Sequence, residues 1–184
     1  MKSFKKNIKM KITFISDSHG KHTKLTNLCG GDLIIHAGDI SSMGYSDEIE
    51  DFFKWFSQLD YKYKILIAGN HDWGFQNDIP NIRRIINKYK NFVIYLQDQM
   101  VEIEKVKIYG TPWQPFFNNY AFNLPSNGSE LEYVWNKIPE DVDILVTHVP
   151  PFGFLDRVIG NYEHLGCELL TKRIEIIKPK IHVF

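Results

Sequence analysis

Side chains that can bind a metal ion follow four short apolar runs of this sequence. Asp17 and His19 come directly after the run Ile12–Ile15. The other three runs are followed by residues of the same kinds, namely Asp39, then Asn70 with His71, and then His148. Carboxylate, imidazole and amide oxygen without thiolate suit manganese, iron or zinc better than a soft metal such as Cu(I). The sequence therefore predicts a metal site built from four separate loops.

The residue types suggest different roles within such a site. A carboxylate can bridge two cations, which a neutral imidazole cannot do, so Asp39 is the candidate bridge. Asp17 and His19 would then bind one ion, and Asn70 and His148 would bind the other. Two ions roughly 3.5–4 Å apart can hold a hydroxide between them and stabilise an oxyanion.

His71 and Asp72 are the candidate catalytic residues. His71 follows the candidate ligand Asn70, and its imidazole can therefore point at a substrate instead of a metal ion. As an imidazolium it would protonate a leaving oxygen or stabilise the charge of a transferring phosphoryl group. Asp72 is expected to orient this imidazole or to raise its pKa. Gly38 and Gly69 would let the backbone approach the cluster closely.

The four apolar runs predict buried strands in an α/β layered domain. Helical patterns alternate with them, most clearly from Ser46 onward, where Ile49, Phe52, Phe53 and Phe56 recur at the spacing of one helix face. In such sheets, ligands bind outside the carboxyl ends of the strands. All the candidate ligands follow strands, so residues far apart in the sequence are expected to meet at one edge.

Other segments carry weaker predictions. Alternation over Met100–Glu104 and Val106–Tyr109 predicts a hairpin, Lys11–Ser16 predicts a strand buried on both faces, and Gly20–Cys29 predicts a helix. Residues 1–10 are interpreted as a flexible tail before a single domain at 11–184. Trp113, Phe116 and Phe117 lie in one aromatic loop. These rings either stack on a nucleobase or pack against the sheet, and Trp113 is the candidate substrate-binding residue among them.

Several single residues favour structural roles. We expect His36, inside a strand, to be a hydrogen-bonded core histidine, and we expect His22 and His164 to be exposed. Cys29 and Cys167 are expected to be small buried residues, because their spacing suits neither a metal site nor a disulfide framework.

Composition excludes some classes of function. The 184 residues balance 22 Lys and Arg against 22 Asp and Glu, so the formal net charge is zero. This balance gives no general attraction to nucleic acid or to an anionic membrane. No apolar run approaches the ~18 residues of a membrane span. With only two cysteines, a reducing compartment is expected, and the predicted location is cytoplasmic.

The ordered motifs resemble those of the calcineurin-like metallophosphoesterases. They are Asp17-Ser18-His19, Gly38-Asp39, Gly69-Asn70-His71-Asp72 and Thr147-His148, each after an apolar run. The resemblance covers residue 11 to the C-terminus. Four segments are closer to one branch, the metallophosphoesterase-domain-containing proteins of vertebrate brain and many microbes. They are Tyr63–Asn70, Tyr109–Pro115, Ala121–Pro125 and His148–Pro151.

This resemblance implies a four-layer α-β-β-α sandwich and a centre of two divalent metal ions, most often manganese, with iron or zinc as alternatives. It implies hydrolysis of small phosphodiesters or phosphomonoesters, with cyclic nucleotides as candidate substrates. The reaction would use attack by a metal-bridging hydroxide.

The family's last motif, Gly-His-x-His, follows a strand similar to Lys180–Phe184, where this sequence ends. We therefore expect an incomplete C-terminal hairpin and impaired metal binding in this chain. The alternative function is a nucleotide- or metal-binding module that does not catalyse. A further alternative is an oligomer formed through the unfinished sheet edge.

Overall fold

The structure is a computed structural model that describes residues 9–126, 128–160 and 162–184. Residues 1–8 of the expected tail lie outside the described residues. The strands are β1 (Ile12–Ile15), β2 (Gly31–Ala37), β3 (Tyr61–Ile67), β4 (Ile94–Tyr95), β5 (Gln99–Ile103), β6 (Val106–Thr111), β7 (Gln114–Pro115), β8 (Asn123–Leu124), β9 (Ile144–Thr147) and β10 (Ile181–Val183). The α-helices are α1 (Ser46–Ser57), α2 (Gly74–Asn77), α3 (Ile79–Tyr89), α4 (Ser129–Asn136) and α5 (Glu168–Ile177).

The strands form two four-stranded sheets and one short pair, so the predicted α/β class is confirmed. The first sheet has the order β1-β2-β3-β4, and all of its strands are parallel. The second has the order β10-β9-β6-β5, with β9 parallel to both of its neighbours and β5 antiparallel to β6. The β5–β6 pair is the predicted hairpin. Strands β7 and β8 form the short parallel pair.

The buried side chains form three clusters. In the first, Ile34 and Leu66 of the first sheet pack with apolar residues of α1 and α3, including all four residues of the predicted α1 face. Their strand neighbours Ile35 and Ile67 point the other way and share a cluster with Ile108 and Val146 of the second sheet. The outer residues of the second sheet, Tyr109 and Leu145, pack with α4 and α5. Each sheet therefore has helices on one face and the other sheet on its opposite face.

The expectation for Lys11–Ser16 was wrong in its burial. Among the described strands, β1 pairs with β2 alone and so lies at the edge of the first sheet. Its four residues are partly buried or exposed, and Phe14 retains 38% of its accessible surface. An apolar run cannot by itself distinguish a central strand from an edge strand, because the number of neighbours is a tertiary property.

The helix predicted for Gly20–Cys29 was also wrong, because only a 3-10 turn forms there, at His22–Lys24. His22 is 1% exposed, which contradicts the expectation that it would lie at the surface. Its ring lies 5.3 Å from that of Phe52 and 4.9 Å from that of Trp55, both in α1. The contact with α1 thus fixes this segment, and two leucines were too weak a signal for a helix.

The cysteines differ from each other. Cys167 is buried as expected, and its sulfur accepts a hydrogen bond from the N–H of Leu170 at the start of α5. Cys29 is exposed, which corrects the expectation of burial. Neither is in a disulfide. In the described part of the chain, none of the helices combines the length and apolar character needed to cross a membrane.

Candidate metal centre

The loops that carry the candidate ligands meet at the carboxyl ends of the strands. Asp17 and His19 follow β1, Asp39 follows β2, Asn70 follows β3, and His148 follows β9 of the second sheet. Hydrogen bonds join the first two loops, because the N–H of Asp17 donates to the carbonyl of Gly38 and that of His19 to the carbonyl of Asp39, each at 3.0 Å.

Asp39 lies at the middle of the cluster and is 3% exposed. Its Oδ2 lies 3.5 Å from Nε2 of His19, and its Oδ1 lies 3.4 Å from Nε2 of His148. Nε2 of His19 also lies 3.7 Å from Oδ1 of Asp17. On the other side, Nε2 of His148 lies 2.9 Å from Oδ1 of Asn70. The structure thus brings together all five residues predicted as metal ligands.

Among the described residues, two groups of three side chains could each hold a metal ion, because the ligand atoms within each group lie within 4.8 Å of one another. Both groups contain Asp39. One group is His19, Asp39 and His71, and the other is Asp17, Asp39 and His148. Carboxylate oxygens and imidazole nitrogens without thiolate fit a divalent cation of intermediate hardness. Asp39, the predicted bridge, is common to both groups. The predicted pairs are also in contact, since Asp17 lies beside His19 and Asn70 lies beside His148.

Three of these residues have left-handed backbone conformations. The φ angles are 53° at Asp17, 42° at His19 and 57° at Asp39. A non-glycine residue with positive φ is uncommon and costs free energy unless its surroundings hold it. Here the two backbone hydrogen bonds between the loops hold it, and the three side chains are thereby turned toward one another.

Gly38 and Gly69 lie where the loops approach most closely, as the sequence predicted. Gly38 has φ 103°, and a Cβ there would lie 2.5 Å from Nδ1 of His148. A Cβ on Gly69 would lie 2.3 Å from both the backbone N and Oδ1 of Asp39. Any side chain at either position would therefore displace a candidate ligand.

The contact between His148 and Asp39 shifts the pKa of both groups. Burial alone lowers the pKa of His148, but the contact with the Asp39 carboxylate and its negative charge outweigh burial and raise this pKa to about 9. Burial alone raises the pKa of Asp39, but the contact with His148 and the N–H of His71 outweigh burial and lower it. The carboxylate is therefore ionised and able to attract cations.

Backbone carbonyls orient two of the imidazoles. Nδ1 of His148 lies 3.0 Å from the carbonyl oxygen of Ala37, and Nδ1 of His71 lies 2.9 Å from that of Ser42. Because a carbonyl oxygen only accepts, each Nδ1 carries a hydrogen and donates it. Each Nε2 is then the nitrogen that faces the cluster, as in many metal sites.

Asp72 occupies a different place from the one expected. It is fully buried, and its carboxylate accepts hydrogen bonds from the N–H groups of Gly69 (2.8 Å), Ser41 (2.9 Å) and Ile40 (3.2 Å) and from the Ser41 hydroxyl. Burial and the charge of Asp39 raise the pKa of Asp72, while these hydrogen bonds oppose the rise. Since Ser42 orients the His71 ring, Asp72 instead joins the loops after β2 and β3.

A cleft of about 460 Å³ opens beside the cluster of candidate ligands around Asp39. Asn70 and His148 line it at one side, and its other lining residues include Phe116, Phe117, Phe152 and His164. Trp113, the predicted substrate-binding residue, does not line this cleft. Its indole N–H donates to Asp98, and its ring packs edge-on against Phe122 at 5.6 Å. The need to pair a half-buried indole N–H explains the difference.

Sequence reasoning missed two contacts around the site, and it expected His164 to be exposed. The ring of Tyr120 lies 4.9 Å from that of His71, and His164 is hydrogen-bonded to Asp156 and only partly exposed. The sequence carries no signal for either contact, because each depends on how irregular loops fold back.

Two other histidines have structural roles. His36 is fully buried as expected, and its ring nitrogens are bonded to the Ser18 hydroxyl and the N–H of Gly38. Burial, with the nearby charge of His148, lowers its pKa to about 3. His182 lies in β10 with Nε2 2.8 Å from the Thr147 hydroxyl, and burial lowers its pKa to about 4.

Almost the whole chain is similar to a family of known proteins. A model of the calcineurin-like phosphoesterase family matches residues 10–184. Human metallophosphoesterase domain-containing protein 1 is 40% identical over 190 residues, which cover 92% of this chain and 58% of the human protein. A UPF0046 protein of Caenorhabditis elegans is 35% identical over 201 residues, which cover 95% of this chain and 50% of that protein. The chain thus spans little more than half the length of these relatives.

Solved structures agree on the fold. The crystal structure of TT1561 from Thermus thermophilus matches 93% of this chain and 79% of its own, with a TM-score of 0.65 and 15% sequence identity. At that identity the likeness shows the fold alone.

Proposed function

Since the chain belongs to the calcineurin-like phosphoesterase family, we propose that it hydrolyses small phosphodiesters or phosphomonoesters at the cluster around Asp39. The observation that carries this proposal is the position of Asp39, a buried and ionised carboxylate common to both groups of potential ligand atoms. A shared carboxylate can bridge two cations, as this proposal needs.

The proposed metal ligands are those predicted from the sequence. Asp17, His19, Asn70 and His148 would bind on either side of Asp39. Two divalent cations there, with manganese as first choice and iron or zinc as alternatives, would supply Lewis acidity and a nucleophilic hydroxide at neutral pH.

His71 would act on the substrate. Its Nδ1 donates to the carbonyl of Ser42, so its Nε2 side faces the cluster and the ring is held in place. As an imidazolium, with a second hydrogen on Nε2, the ring in that position can hydrogen-bond a phosphate oxygen or give that proton to the leaving oxygen. The side-chain amide of Asn70, at the edge of the cleft, would hold a second phosphate oxygen.

Cyclic nucleotides are our candidate substrates, on the strength of the family and of the cleft. The exposed rings of Phe116 and Phe117 line that cleft and offer surfaces on which a base can stack.

Hydrolysis assays test the proposal. Bis-p-nitrophenyl phosphate and 2′,3′-cyclic nucleotides would be supplied with Mn²⁺ to the wild type, Asp39→Asn and His71→Ala. We expect both variants to lose at least ~100-fold in rate, since general acid–base and electrostatic groups each contribute this much. Asp141→Asn, at an exposed carboxylate that pairs with Lys107, is the matched control and should keep the wild-type rate. Equal rates in all four proteins would refute the assignment.

Two further proposals concern the setting of the chain. We propose a cytoplasmic location, which suits two cysteines that are both free. We also propose that chains associate through β10, which pairs with β9 alone among the described strands. Light scattering that detects only monomer would rule out the association.

A further inference from the structure

A second group of polar side chains lies apart from the cluster around Asp39, in the loop between β9 and α5. Asp156 is 5% exposed, and its Oδ1 lies 2.6 Å from Nδ1 of His164. Its Oδ2 accepts from the N–H groups of Gly153 (3.0 Å) and Gly166 (3.1 Å). Burial alone raises the pKa of Asp156, but these hydrogen bonds outweigh burial and lower it. An ionised, buried carboxylate thus fixes one histidine ring.

The partners of His164 determine which of its nitrogens carries hydrogen. Nε of Arg157 lies 3.1 Å from Nε2 of His164, and a guanidinium can only donate. Nε2 therefore accepts, and Nδ1 carries the hydrogen that it donates to Asp156. Both ring nitrogens are therefore occupied, and the neutral imidazole is held in a single orientation.

The His164 ring lines the cleft that lies beside the cluster around Asp39. Its side chain is 27% exposed and its ring lies 5.0 Å from that of Phe152, which lines the same cleft. Phe116 and Phe117 also line it, and they come from the separate β7–β8 region of the chain. The cleft that contains Asn70 and His148 thus also has apolar rings and a fixed imidazole on its walls.

We propose that His164 is a substrate-binding residue that contacts the organic group of the phosphoester, and that Asp156 is its positioning residue. The ligand class is a phosphoester whose organic group is a planar ring. The rings of Phe116, Phe117 and Phe152 and the fixed imidazole would pack against the faces of that group. This inference rests on the proposed function, because the cluster around Asp39 would hold the phosphoryl end.

Holding the loop closed does not require His164. The two backbone N–H bonds to Asp156 already tie Gly153 to Gly166, and the N–H of Leu165 donates to the Asp156 carbonyl at 3.0 Å. The third bond of the carboxylate instead fixes a ring that remains partly accessible from the cleft. A role toward a ligand accounts for that accessibility.

Two ligands that cannot be hydrolysed test the inference. Methylphosphonate and p-nitrophenylphosphonate share the phosphoryl end and differ only in the organic group. Titration calorimetry with the Mn²⁺-loaded chain should show tighter binding of p-nitrophenylphosphonate to the wild type. His164→Ala should reduce that preference about twofold to tenfold, the value of one aromatic ring contact. Methylphosphonate should bind equally to both proteins.

Asp156 is tested by graded variants. Asp156→Asn keeps one oxygen that can accept from Nδ1 of His164, although its NH₂ group then faces the N–H groups of Gly153 and Gly166. It should therefore retain part of the preference, and Asp156→Ala should retain less. Rescue by the conservative variant separates positioning from loss of the whole loop, which would affect both variants alike.

Two results would overturn the inference: a wild type that does not prefer p-nitrophenylphosphonate, or a His164→Ala variant that weakens both ligands equally. The proposed function fails separately, if the wild type shows this preference yet hydrolyses no phosphoester.

Discussion

At the scale of single residues, three of the five candidate ligands lie in an unfavourable backbone conformation. Asp17, His19 and Asp39 all have positive φ, and none is a glycine. Left-handed residues are tolerated where the neighbouring structure fixes them, and they concentrate at functional sites. Two hydrogen bonds between the loops after β1 and β2 fix them here. These hydrogen bonds offset the conformational free energy of the three residues, whose side chains consequently point toward one another.

A methyl group at Gly38 should disturb this arrangement. Gly38→Ala places a Cβ 2.5 Å from Nδ1 of His148 at a φ of 103°, and we expect loss of metal binding together with lower stability. Gly160→Ala is the matched control, because its φ is 106° and a Cβ there meets nothing within 4 Å. The control should lose about 1–3 kcal/mol at most from strain alone and should bind Mn²⁺ normally. Metal content by mass spectrometry that is equal in the two variants would contradict the prediction.

At the scale of elements, Asp72 links the loops after β2 and β3. Its carboxylate accepts from three backbone N–H groups and one hydroxyl while fully buried. A carboxylate suits this place because it accepts at both oxygens, whereas an amide presents donors to some of the same N–H groups.

Replacement of Asp72 should therefore reduce stability before it affects chemistry. We expect Asp72→Asn to lower the free energy of unfolding by about 2–4 kcal/mol, since buried N–H groups are left unpaired. Ser41→Ala removes only the hydroxyl bond and should cost about 1 kcal/mol. Urea unfolding measures both changes. A stable Asp72→Asn variant whose activity has an altered pH profile would instead support the expected role in orienting His71.

The buried ring of His36 in β2 should make stability depend on pH. The folded chain keeps His36 neutral down to about pH 3, whereas the unfolded chain protonates near the ordinary pKa of 6.5. Protons therefore stabilise only the unfolded state between these values, and the free energy of unfolding falls as pH falls. From pH 7 to pH 5 this group alone accounts for about 2 kcal/mol.

His36→Gln removes the titrating group and should reduce that dependence. Urea unfolding at pH 7 and pH 5 gives the free-energy difference for each protein. The variant should lose less stability between the two values than the wild type does, even if it is less stable at pH 7. Identical losses in the two proteins would show that His36 does not remain neutral in the fold.

At the scale of the whole molecule, the candidate ligands come from both sheets. Asp17, Asp39 and Asn70 follow strands of the first sheet, and His148 follows a strand of the second. Ions bound among them would join the two halves of the core directly. Binding that requires both sheets in place stabilises the folded chain relative to the unfolded one.

Mn²⁺ should consequently raise the melting temperature. At a free concentration 100 times Kd, binding contributes about 2.7 kcal/mol per site, which is a rise of about 5–10 °C for a chain of this length. Thermal unfolding with MnCl₂ and again after EDTA measures the effect. Asp39→Asn should show no rise, and Asp141→Asn should show the full rise. A rise that survives in Asp39→Asn would place the metal elsewhere.

The sequence by itself determined the α/β class, the apolar face of α1, the β5–β6 hairpin and the residues that gather around Asp39. These follow from local patterns, because periodicity reports which face of an element is buried and parallel strands deliver their exits to one edge. The close approach at Gly38 and Gly69 could also be predicted, since only glycine permits it.

Only the tertiary structure decided where several other residues lie. In the structure, β1 lies at a sheet edge and the indole of Trp113 donates to Asp98. Asp72 accepts hydrogen bonds from the backbone of two loops, and His164 donates to Asp156. Each of these depends on which segments become neighbours across the fold. The residue type determines the chemical properties of a side chain, but the tertiary fold determines which groups it contacts.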